Sequence, residues 1–510
     1  MANLAKSILY GIFGVISLAY LAEYLLAWND DPKEPTRLRS KIPLIGHLIG
    51  IITSGPSYHS VIRSDETTEI YTLGILNFKL YTSVSTRLLP LIQRQSRALS
   101  FRPMIQTVAR KWGDANDETD KLFGETNLTT DFSHAMKTSL APGTQLDEMN
   151  LRMAQRALID LDLLLGNGKD KKIKLLDWAR HAITQASSCG VYGNQHPFLD
   201  PEVYKAFWTW HAHLSAHISG IDFDLRRLGY RARQVVFDAH AKYCSSLPPD
   251  TSSLFLSRWS TLLSAGLTVP EATKQQATLP IGMLSNTVPT FFWTIYEIYS
   301  RPSLLTQIRE EILANAVTTL PPNGSCFELD VSALKTECPL LLSTFQETQR
   351  TRHIHAAIRK VMTDTLLDDK YLLKRGNYLQ MPGHAIHSST KIWGPTAKEF
   401  NPHRFTDPKL KRSGADFLAW GAPPHLCPAR QFAAVEILIL IGLLVVRADI
   451  SPVATQWEQH PELDFNDPVT VLNPKRDVDV EITVRNGWEG IGKWKVKMGG
   501  SKTRVGLASG

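Results

Sequence analysis

The segment WGAPPHLCPARQFA, residues 420–433, contains Cys427, the residue whose type and position point most clearly to a chemical role. Its Gly- and Pro-containing loop precedes an apolar stretch that predicts a helix over residues 430–447, so the sulfur is expected near a helix N-terminus. A thiolate is stabilised there, and it serves either as a nucleophile or as a metal ligand. Because an isolated free cysteine is more often a small buried hydrophobe, the chemical interpretation depends on the other motifs.

A possible ion pair lies upstream of this loop. Glu347 and Arg350 in FQETQR are three residues apart and therefore adjacent on one helix face, where a carboxylate and a guanidinium can pair. Arg404 in KEFNPHRF supplies a second guanidinium in a Pro-containing loop that could join the same carboxylate. Taken alone, the pair is typical of a solvated helix surface.

Two polar residues interrupt the apolar stretch LPIGMLSNTVPTFFWTIYEIY, where Asn286 and Thr287 precede Pro289. Proline lacks a backbone N–H, so it frees a carbonyl and bends a helix. Polar side chains at such a bend usually satisfy the freed groups, but the same bend would also open a pocket beside a cofactor. The residues alone leave both interpretations open.

In chain order, the Asn-Thr pair before a proline, ExxR, PHRF and a cysteine in a Gly-containing loop resemble the cytochrome P-450 superfamily. The resemblance covers essentially the whole chain. The NTVP sequence is most similar to the branch of cholesterol 7α-hydroxylase, prostacyclin synthase and their fungal secondary-metabolite relatives. The resemblance of the four motifs implies the cytochrome P-450 fold, which is mainly α with small β-sheets, preceded by an N-terminal transmembrane helix.

The resemblance also implies roles for individual residues. Cys427 is expected to be the axial thiolate ligand of the iron of haem b. A buried structural triad is expected from Glu347, Arg350 and Arg404. Trp420 takes the place of the aromatic residue that packs near the sulfur, and the candidates for binding the haem propionates are His425, Arg359, Lys137 and His134.

The implied activity is monooxygenation of a lipophilic small molecule, with NADPH electrons delivered by cytochrome P-450 reductase and with cytochrome b5 as a further candidate donor. Thr287, beside Asn286, is expected to relay protons to dioxygen through its hydroxyl and water. Such substrates include terpenoids, steroids and polyketide-derived skeletons.

The chain departs from the family at several of these positions. Asn286 stands where most members carry an acid, and Leu284 stands where most carry Gly or Ala. Three positions of the Cys loop that are usually Gly hold Ala422, Pro423 and Ala429. The departures leave open a haem-thiolate isomerase or dehydratase that needs no external electrons, and a haem-binding membrane protein without turnover. Retention of Thr287 favours monooxygenation.

The N-terminal residues 8–28, ILYGIFGVISLAYLAEYLLAW, carry one charge and are long enough to cross a membrane as a helix. A signal peptide is the alternative, but its apolar core is normally shorter. Lys6 precedes the span and four basic residues follow within 33–41, so the positive-inside rule places the remaining chain in the cytosol. We expect a single-pass anchor in the endoplasmic reticulum membrane (1–28), a Pro-rich strap (29–43) and one catalytic domain (44–510).

Composition agrees with one large α-rich unit. A length of 510 residues, 43% of them hydrophobic, with only five cysteines excludes wholesale disorder and a small disulfide-stapled scaffold. Apolar periodicity predicts a helix over residues 151–165, and alternation predicts strands at 70–73, 78–82 and 478–484. The net charge of +7 suits docking of an acidic reductase. No phosphate-binding loop or nucleophile elbow is present, and no nucleic-acid partner is expected.

Overall fold

The computed structural model describes residues 2–509 except 56–57, 63–67, 167–169, 221, 223, 321–325, 408–412, 465–468, 486, 489–492 and 501. The mainly helical architecture with small sheets is confirmed. The helices are α1 (Ala2–Trp28), α2 (Gly46–Ser54), α3 (Tyr58–Ile62), α4 (Leu89–Arg94), α5 (Arg102–Lys111), α6 (Asp117–Glu125), α7 (Leu128–Ser139), α8 (Thr144–Leu165), α9 (Leu175–Tyr192), α10 (Pro201–Ala212), α11 (Leu214–Ser219), α12 (Leu228–Ser245), α13 (Ser253–Ser264), α14 (Val269–Gln276), α15 (Leu279–Leu284), α16 (Thr287–Tyr299), α17 (Pro302–Asn315), α18 (Val331–Thr336), α19 (Pro339–Arg352), α20 (Gly383–His387), α21 (Thr390–Trp393) and α22 (Arg430–Arg447).

The strands form one larger sheet and three small ones. They are β1 (Arg37–Leu38), β2 (Ile70–Ile75), β3 (Phe78–Ser83), β4 (Leu99–Ser100), β5 (Lys171–Lys174), β6 (Val317–Leu320), β7 (Cys326–Asp330), β8 (Ala356–Val361), β9 (Thr365–Leu367), β10 (Tyr371–Leu373), β11 (Tyr378–Pro382), β12 (Ala448–Pro452), β13 (Asp479–Val484) and β14 (Trp494–Lys497). The larger sheet has the order β1-β2-β3-β11-β8-β4. The predicted hairpin is present as β2 and β3, and the predicted C-terminal strand is β13.

Two buried helices, α16 and α22, form the centre of the core. Residues 431–447 of α22 are all buried, because the helix is apolar on every face and packs against α8, α16, α17 and α18. The predicted helix at 151–165 is the second part of α8, which ends where Gly166 takes a φ of 53°. These helices surround the segments that carry the chemical motifs.

The N-terminal helix and the segment after it lie against the rest of the chain in different ways. α1 contains a span of 23 residues, Lys6–Trp28, that is long and apolar enough to cross a membrane, and none of its most apolar window is buried. The following segment is held to the larger sheet, because β1 pairs in parallel with β2 and Lys79 donates to Glu34 at 2.7 Å. The strap therefore holds the C-terminal end of α1 close to the larger sheet.

The bend predicted near Pro289 is a break between α15 and α16, at residues 285–286. Pro289 cannot donate a hydrogen bond to the carbonyl four residues earlier, which belongs to Ser285. Side-chain hydroxyls add hydrogen bonds on both sides of the break: that of Ser285 donates to the carbonyl of Ile281 at 2.6 Å, and that of Thr290 donates to the carbonyl of Asn286 at 2.6 Å.

Glu347, Arg350 and Arg404 form a buried ion cluster. Arg350 binds both carboxylate oxygens of Glu347 at 2.7 Å, and Arg404 Nε donates to Oε1 at 2.9 Å. The exposed fractions of the three residues are 0%, 2% and 2%. Two guanidinium groups face one carboxylate, and backbone carbonyls stabilise the excess positive charge. Arg350 donates to the carbonyls of His387, Ala397 and Glu399. The cluster therefore fixes α19 against the chain that leads to the Cys loop.

Replacing Glu347 with Gln should lower the free energy of unfolding by about 3–5 kcal/mol, because two guanidinium groups would remain buried without their counterion. Denaturant titration of the full chain in detergent, followed by circular dichroism, measures this loss. The matched control is Glu462→Gln, which removes an exposed ion pair with Lys475 and should cost no more than about 1 kcal/mol. Equal losses in the two variants would contradict the role given to the cluster.

Candidate active site

A cavity of about 380 Å³ lies between α16, the end of α19 and the loop that precedes α22. Its volume is in the range of small-molecule and cofactor sites. The apolar part of its lining includes Phe101, Ile105, Phe132, Met136, Met283, Phe432, Ile437 and Val471. The residues with polar or reactive side chains are Ser133, Lys137, Asn286, Thr287, Thr290, Gln349, His353, His355, Trp420, His425, Cys427 and Thr470. Four distant segments thus meet at one cavity.

Cys427 is positioned by its loop and by the start of α22. Its backbone N–H donates to the carbonyl of Trp420 at 2.8 Å, and α22 begins three residues later at Arg430. Gly421 has a φ of 91°, and a Cβ at this position would lie 3.0 Å from the carbonyl oxygen of His425. The loop therefore requires a glycine here, although it tolerates Ala and Pro at neighbouring positions.

The electrostatics of Cys427 differ from the simple helix-end expectation. Burial raises the pKa of its thiol, and the lowering effects of the Ala429 N–H and of the Arg430 charge do not compensate. The α22 terminus alone therefore does not favour the thiolate. A metal cation bound by Cys427 would supply the missing stabilisation, because a metal deprotonates a coordinating thiol.

One end of the cavity collects positively charged groups. Arg359 donates to the carbonyl of Ala422 at 2.9 Å and lies over the Phe101 ring, which also packs against His425. Burial, together with the charges of Arg359 and Lys137, lowers the pKa of His425 to about 4. Within the described part of the chain, neither Arg359 nor Lys137 forms an ion pair with a carboxylate. This end is suited to an anionic group from outside the chain.

Two further candidates for cofactor contact are placed differently. Trp420 lines the cavity, and its buried indole Nε1 has no hydrogen-bond partner within the described residues. His134 lies on α7 three residues before Lys137, but its side chain is exposed and does not line the cavity. The two residues are three apart and share a helix face, and both are exposed, but Lys137 lines the cavity and His134 does not. Lys137 is therefore the better placed candidate on this helix.

The helix break lies on the cavity wall. The hydroxyl of Thr287 donates to the carbonyl of Met283 at 2.8 Å, so its oxygen keeps lone pairs that can accept a hydrogen bond. The side-chain oxygen of Asn286 accepts from the backbone N–H and the hydroxyl of Thr470, at 2.8 and 2.6 Å. Asn286 therefore holds a C-terminal segment against the break, while the side chain of Leu284 is fully buried.

The donor set fits a haem. A planar macrocycle with two carboxylates and a central cation needs an apolar slot, anion-binding groups at one edge and an iron ligand. The cavity offers Cys427 as the ligand, and Arg359, Lys137 and His425 at the edge. The uncompensated charge at Arg359 is the structural feature that argues most directly for such a group.

Sequence reasoning missed part of this wall. The spacing of His353 and His355 does not by itself identify a site, and no cluster of His, Cys, Asp or Glu suited to a metal occurs among the described residues. Both nevertheless line the cavity, as do Gln349 and Thr470. The alternation of β8 places 357 and 359 on its buried face, but His355 precedes the strand and carried no such signal. Thr470 carried no such signal, because its contact with Asn286 spans 184 residues.

Comparisons with known proteins agree with this site. A family model for cytochrome P-450 matches residues 169–478. The chain is 34% identical over 459 residues to the cytochrome P-450 monooxygenase nodJ of Hypoxylon pulicicidum, with 87% of this chain and 89% of that protein covered. A cytochrome P-450 monooxygenase of Gibberella zeae is 26% identical over 97% of both chains.

Among solved structures, the retinoic acid-bound cyanobacterial CYP120A1 matches with a TM-score of 0.68 and 14% identity, over 89% of this chain and 99% of that chain. This likeness shows the fold. The family model spans the helix break, the ion cluster and the Cys loop, and the fungal relatives align over most of their own length. The chain therefore belongs to the cytochrome P-450 superfamily and is a haem-thiolate monooxygenase that receives its electrons from a redox partner.

Proposed function

We propose that this monooxygenase is anchored in the endoplasmic reticulum membrane and hydroxylates, or oxidises in a related way, a lipophilic secondary-metabolite intermediate. The observation that carries the proposal is the meeting of Cys427 and Thr287 in one mainly apolar cavity. Terpenoid, steroid and polyketide-derived skeletons match such a lining, because their surface is largely hydrocarbon. The four other cysteines, at positions 189, 244, 326 and 338, are free and have no part in this chemistry.

Haem b, when bound, supplies the activation of dioxygen with electrons that NADPH-cytochrome P-450 reductase or cytochrome b5 delivers. The chain's own residues hold it: Cys427 is the iron ligand, and Arg359, His425 and Lys137 bind the propionates. Trp420 packs near the sulfur. The protein's contribution is therefore binding, orientation and electrostatics.

Thr287 is the residue that we assign to proton delivery. Because its hydroxyl proton is donated to the Met283 carbonyl, the oxygen accepts a hydrogen bond from water in the cavity and passes a proton on by reorienting. Asn286 cannot ionise, and its carbonyl oxygen is engaged by Thr470. We therefore assign Asn286 to positioning of the wall and leave the proton relay to Thr287 and water.

The membrane assignment rests on α1. Its apolar span is long enough to cross a bilayer, and aromatic residues such as Tyr20, Tyr24 and Trp28 lie toward its C-terminal end, where they suit the headgroup region. We assign residues 1–28 to the anchor, 29–43 to the strap and 44–510 to a cytosolic catalytic domain. A cavity close to a membrane favours substrates that partition into lipid.

Cys427→Ala should abolish the red-shifted Soret band that marks thiolate ligation in the ferrous carbon-monoxide complex, because the iron loses its sulfur ligand. Cys326→Ala is the control: this half-buried cysteine on β7 is distant in sequence and does not line the cavity, so the band should persist. A wild-type protein without the band would contradict the proposed function.

Thr287→Ala should slow product formation by roughly a hundredfold, the lower range for loss of a proton-transfer group, while NADPH oxidation continues. Product and NADPH are measured with reconstituted reductase, on a substrate identified by comparing metabolites with and without the gene. Thr294→Ala is the matched control, since this buried threonine also donates to a helix carbonyl but lies outside the cavity. Unchanged coupling in Thr287→Ala would refute the relay.

Deleting residues 2–28 should move the protein from the microsomal pellet to the soluble fraction, because the apolar span supplies most of the membrane affinity. Fractionation of cells expressing either form measures this. Mass spectrometry of the mature N-terminus separates the alternatives: retention of α1 supports an anchor, and its removal identifies a cleaved signal peptide.

A further inference from the structure

The end of the described chain, residues 502–509, is a C-terminal tail without helix or strand that packs into the body of the protein. Val505, Leu507 and Ser509 have exposed fractions of only 2%, 8% and 7%. The ends of a chain are usually loosely ordered unless specific contacts hold them. The contacts that bury this tail therefore identify what it is attached to.

The first attachment is Gln431, the second residue of α22. Its side-chain N–H donates to the carbonyl of Val505 at 3.1 Å, and its Oε1 accepts from the backbone N–H of Val505 at 2.8 Å. Gln431 is itself buried, with an exposed fraction of 7%. Both polar groups of its amide thus bind one residue of the tail, and Gln431 closely follows Cys427 in the chain.

Two further contacts involve Ala508 near the other end of the tail. The backbone N–H of Ala508 donates to the side-chain oxygen of Gln346 on α19 at 2.6 Å. Ala508 also packs against the apolar cluster around Trp393 and Phe417, and Trp420 at the start of the Cys loop packs against the same cluster. The tail is therefore attached near both ends of the Cys loop and to the helix that carries the ion cluster.

The first turn of α22 lacks a capping side chain. The N-cap residue Ala429 makes no side-chain hydrogen bond to this turn, whose N–H groups have no partner within the helix. Residues 425–430 are half-buried, whereas residues 431–447 are all buried. The two hydrogen bonds between Gln431 and Val505 lie at the boundary between the half-buried loop and the buried helix.

The tail acts from outside the cavity. Neither Gln431 nor any described residue of the tail lines the cavity, whereas Phe432 and Ala433, the next residues of α22, do line it. The tail therefore has no direct contact with the candidate cofactor site. Its effect on that site passes through Gln431 and the backbone that leads to Cys427.

We propose that Gln431 is a positioning residue through which the C-terminal tail holds the Cys loop, so that the sulfur of Cys427 keeps a single position as an iron ligand. This inference rests on the role proposed for Cys427 above and extends it to the end of the chain. Groups that bind the supports of a metal ligand orient that ligand, and their loss weakens metal binding although they never touch the metal.

The test measures the opening of the Cys loop and the state of its sulfur in the haem-loaded full chain in detergent. Hydrogen–deuterium exchange with mass spectrometry reports the opening of the peptide 420–433. The ferrous carbon-monoxide spectrum reports thiolate ligation. Its decay during incubation, from the red-shifted band to a band at shorter wavelength, reports loss of the thiolate ligand.

Gln431→Met keeps most of the side-chain volume and removes both hydrogen bonds to the tail. It should raise the exchange rate of this peptide roughly tenfold and speed the decay of the thiolate band by a similar factor, the size expected for two neutral hydrogen bonds. The matched control is Gln185→Met on α9, which removes a buried hydrogen bond to the carbonyl of Phe198 outside the cavity lining. This control should leave both readouts unchanged.

Deleting residues 502–510 should raise exchange of the peptide 420–433 as much as Gln431→Met does, because the tail supplies the partner of Gln431. The two changes combined should add little to either one, since they remove the same interaction. If either variant fails to take up haem, Leu507→Ala decides. This change loosens the tail without altering α22, and we expect a smaller increase in the same direction.

Unchanged exchange of the peptide 420–433 in Gln431→Met, or an equal increase in Gln185→Met, overturns the inference. A deletion variant that reductase reduces faster, while exchange stays unchanged, identifies the tail as a cover over a docking face and also contradicts the positioning role. The wild-type spectrum separates these results from failure of the proposed function. A wild type without the thiolate band contradicts the role of Cys427, whereas a wild type with the band and an unaffected Gln431→Met variant contradict only the role of Gln431.

Discussion

The carboxylate of Glu347 is the buried charge on which the geometry of the cavity depends. It binds Arg350 on its own helix and Arg404 on a distant loop, and α19 cannot separate from that loop without leaving an ion unpaired in the interior. The segment with His353 and His355 directly follows α19, and the Cys loop follows Arg404 in the chain. One ion cluster therefore sets the relative position of the polar wall and of the sulfur, although no member of the cluster lines the cavity.

The cofactor edge of the cavity shows how binding and folding are coupled in this protein. Burial lowers the pKa of Arg359 to about 10, and the same residue and Lys137 face His425 without a described carboxylate partner. Burying such charges is costly unless an anion compensates them. Burial likewise raises the pKa of the Cys427 thiol. A ligand that brings carboxylates to Arg359 and a metal cation to Cys427 would relieve both costs, and its binding energy would add to the stability of the folded chain.

The helix break illustrates why structural and functional interpretations of a residue need not compete. Thr287, Thr290 and Thr294 each donate a hydroxyl proton to the carbonyl four residues earlier, which satisfies backbone groups in an apolar helix. Thr287 and Thr290 both line the cavity and Thr294 does not, and of the three Thr287 lies nearest the break. Asn286 takes a structural task that an ionised residue would perform poorly, because it would bring a charge into the contact with Thr470.

The sequence by itself determined the mainly helical class, the hairpin of β2 and β3, the extent of α22 and the presence of a break near Pro289, because each depends on local periodicity or on the chemistry of one residue. It also pointed to Cys427 and to the Glu347–Arg350 pair, whose spacing within one helix is fixed. Only the tertiary structure decided that Lys137 lines the cavity while His134 does not, and that His355 belongs to its wall. Only the tertiary structure joined Thr470 to Asn286 across 184 residues. Such contacts depend on how elements pack, and no local pattern of residues encodes the distance between segments far apart in the chain.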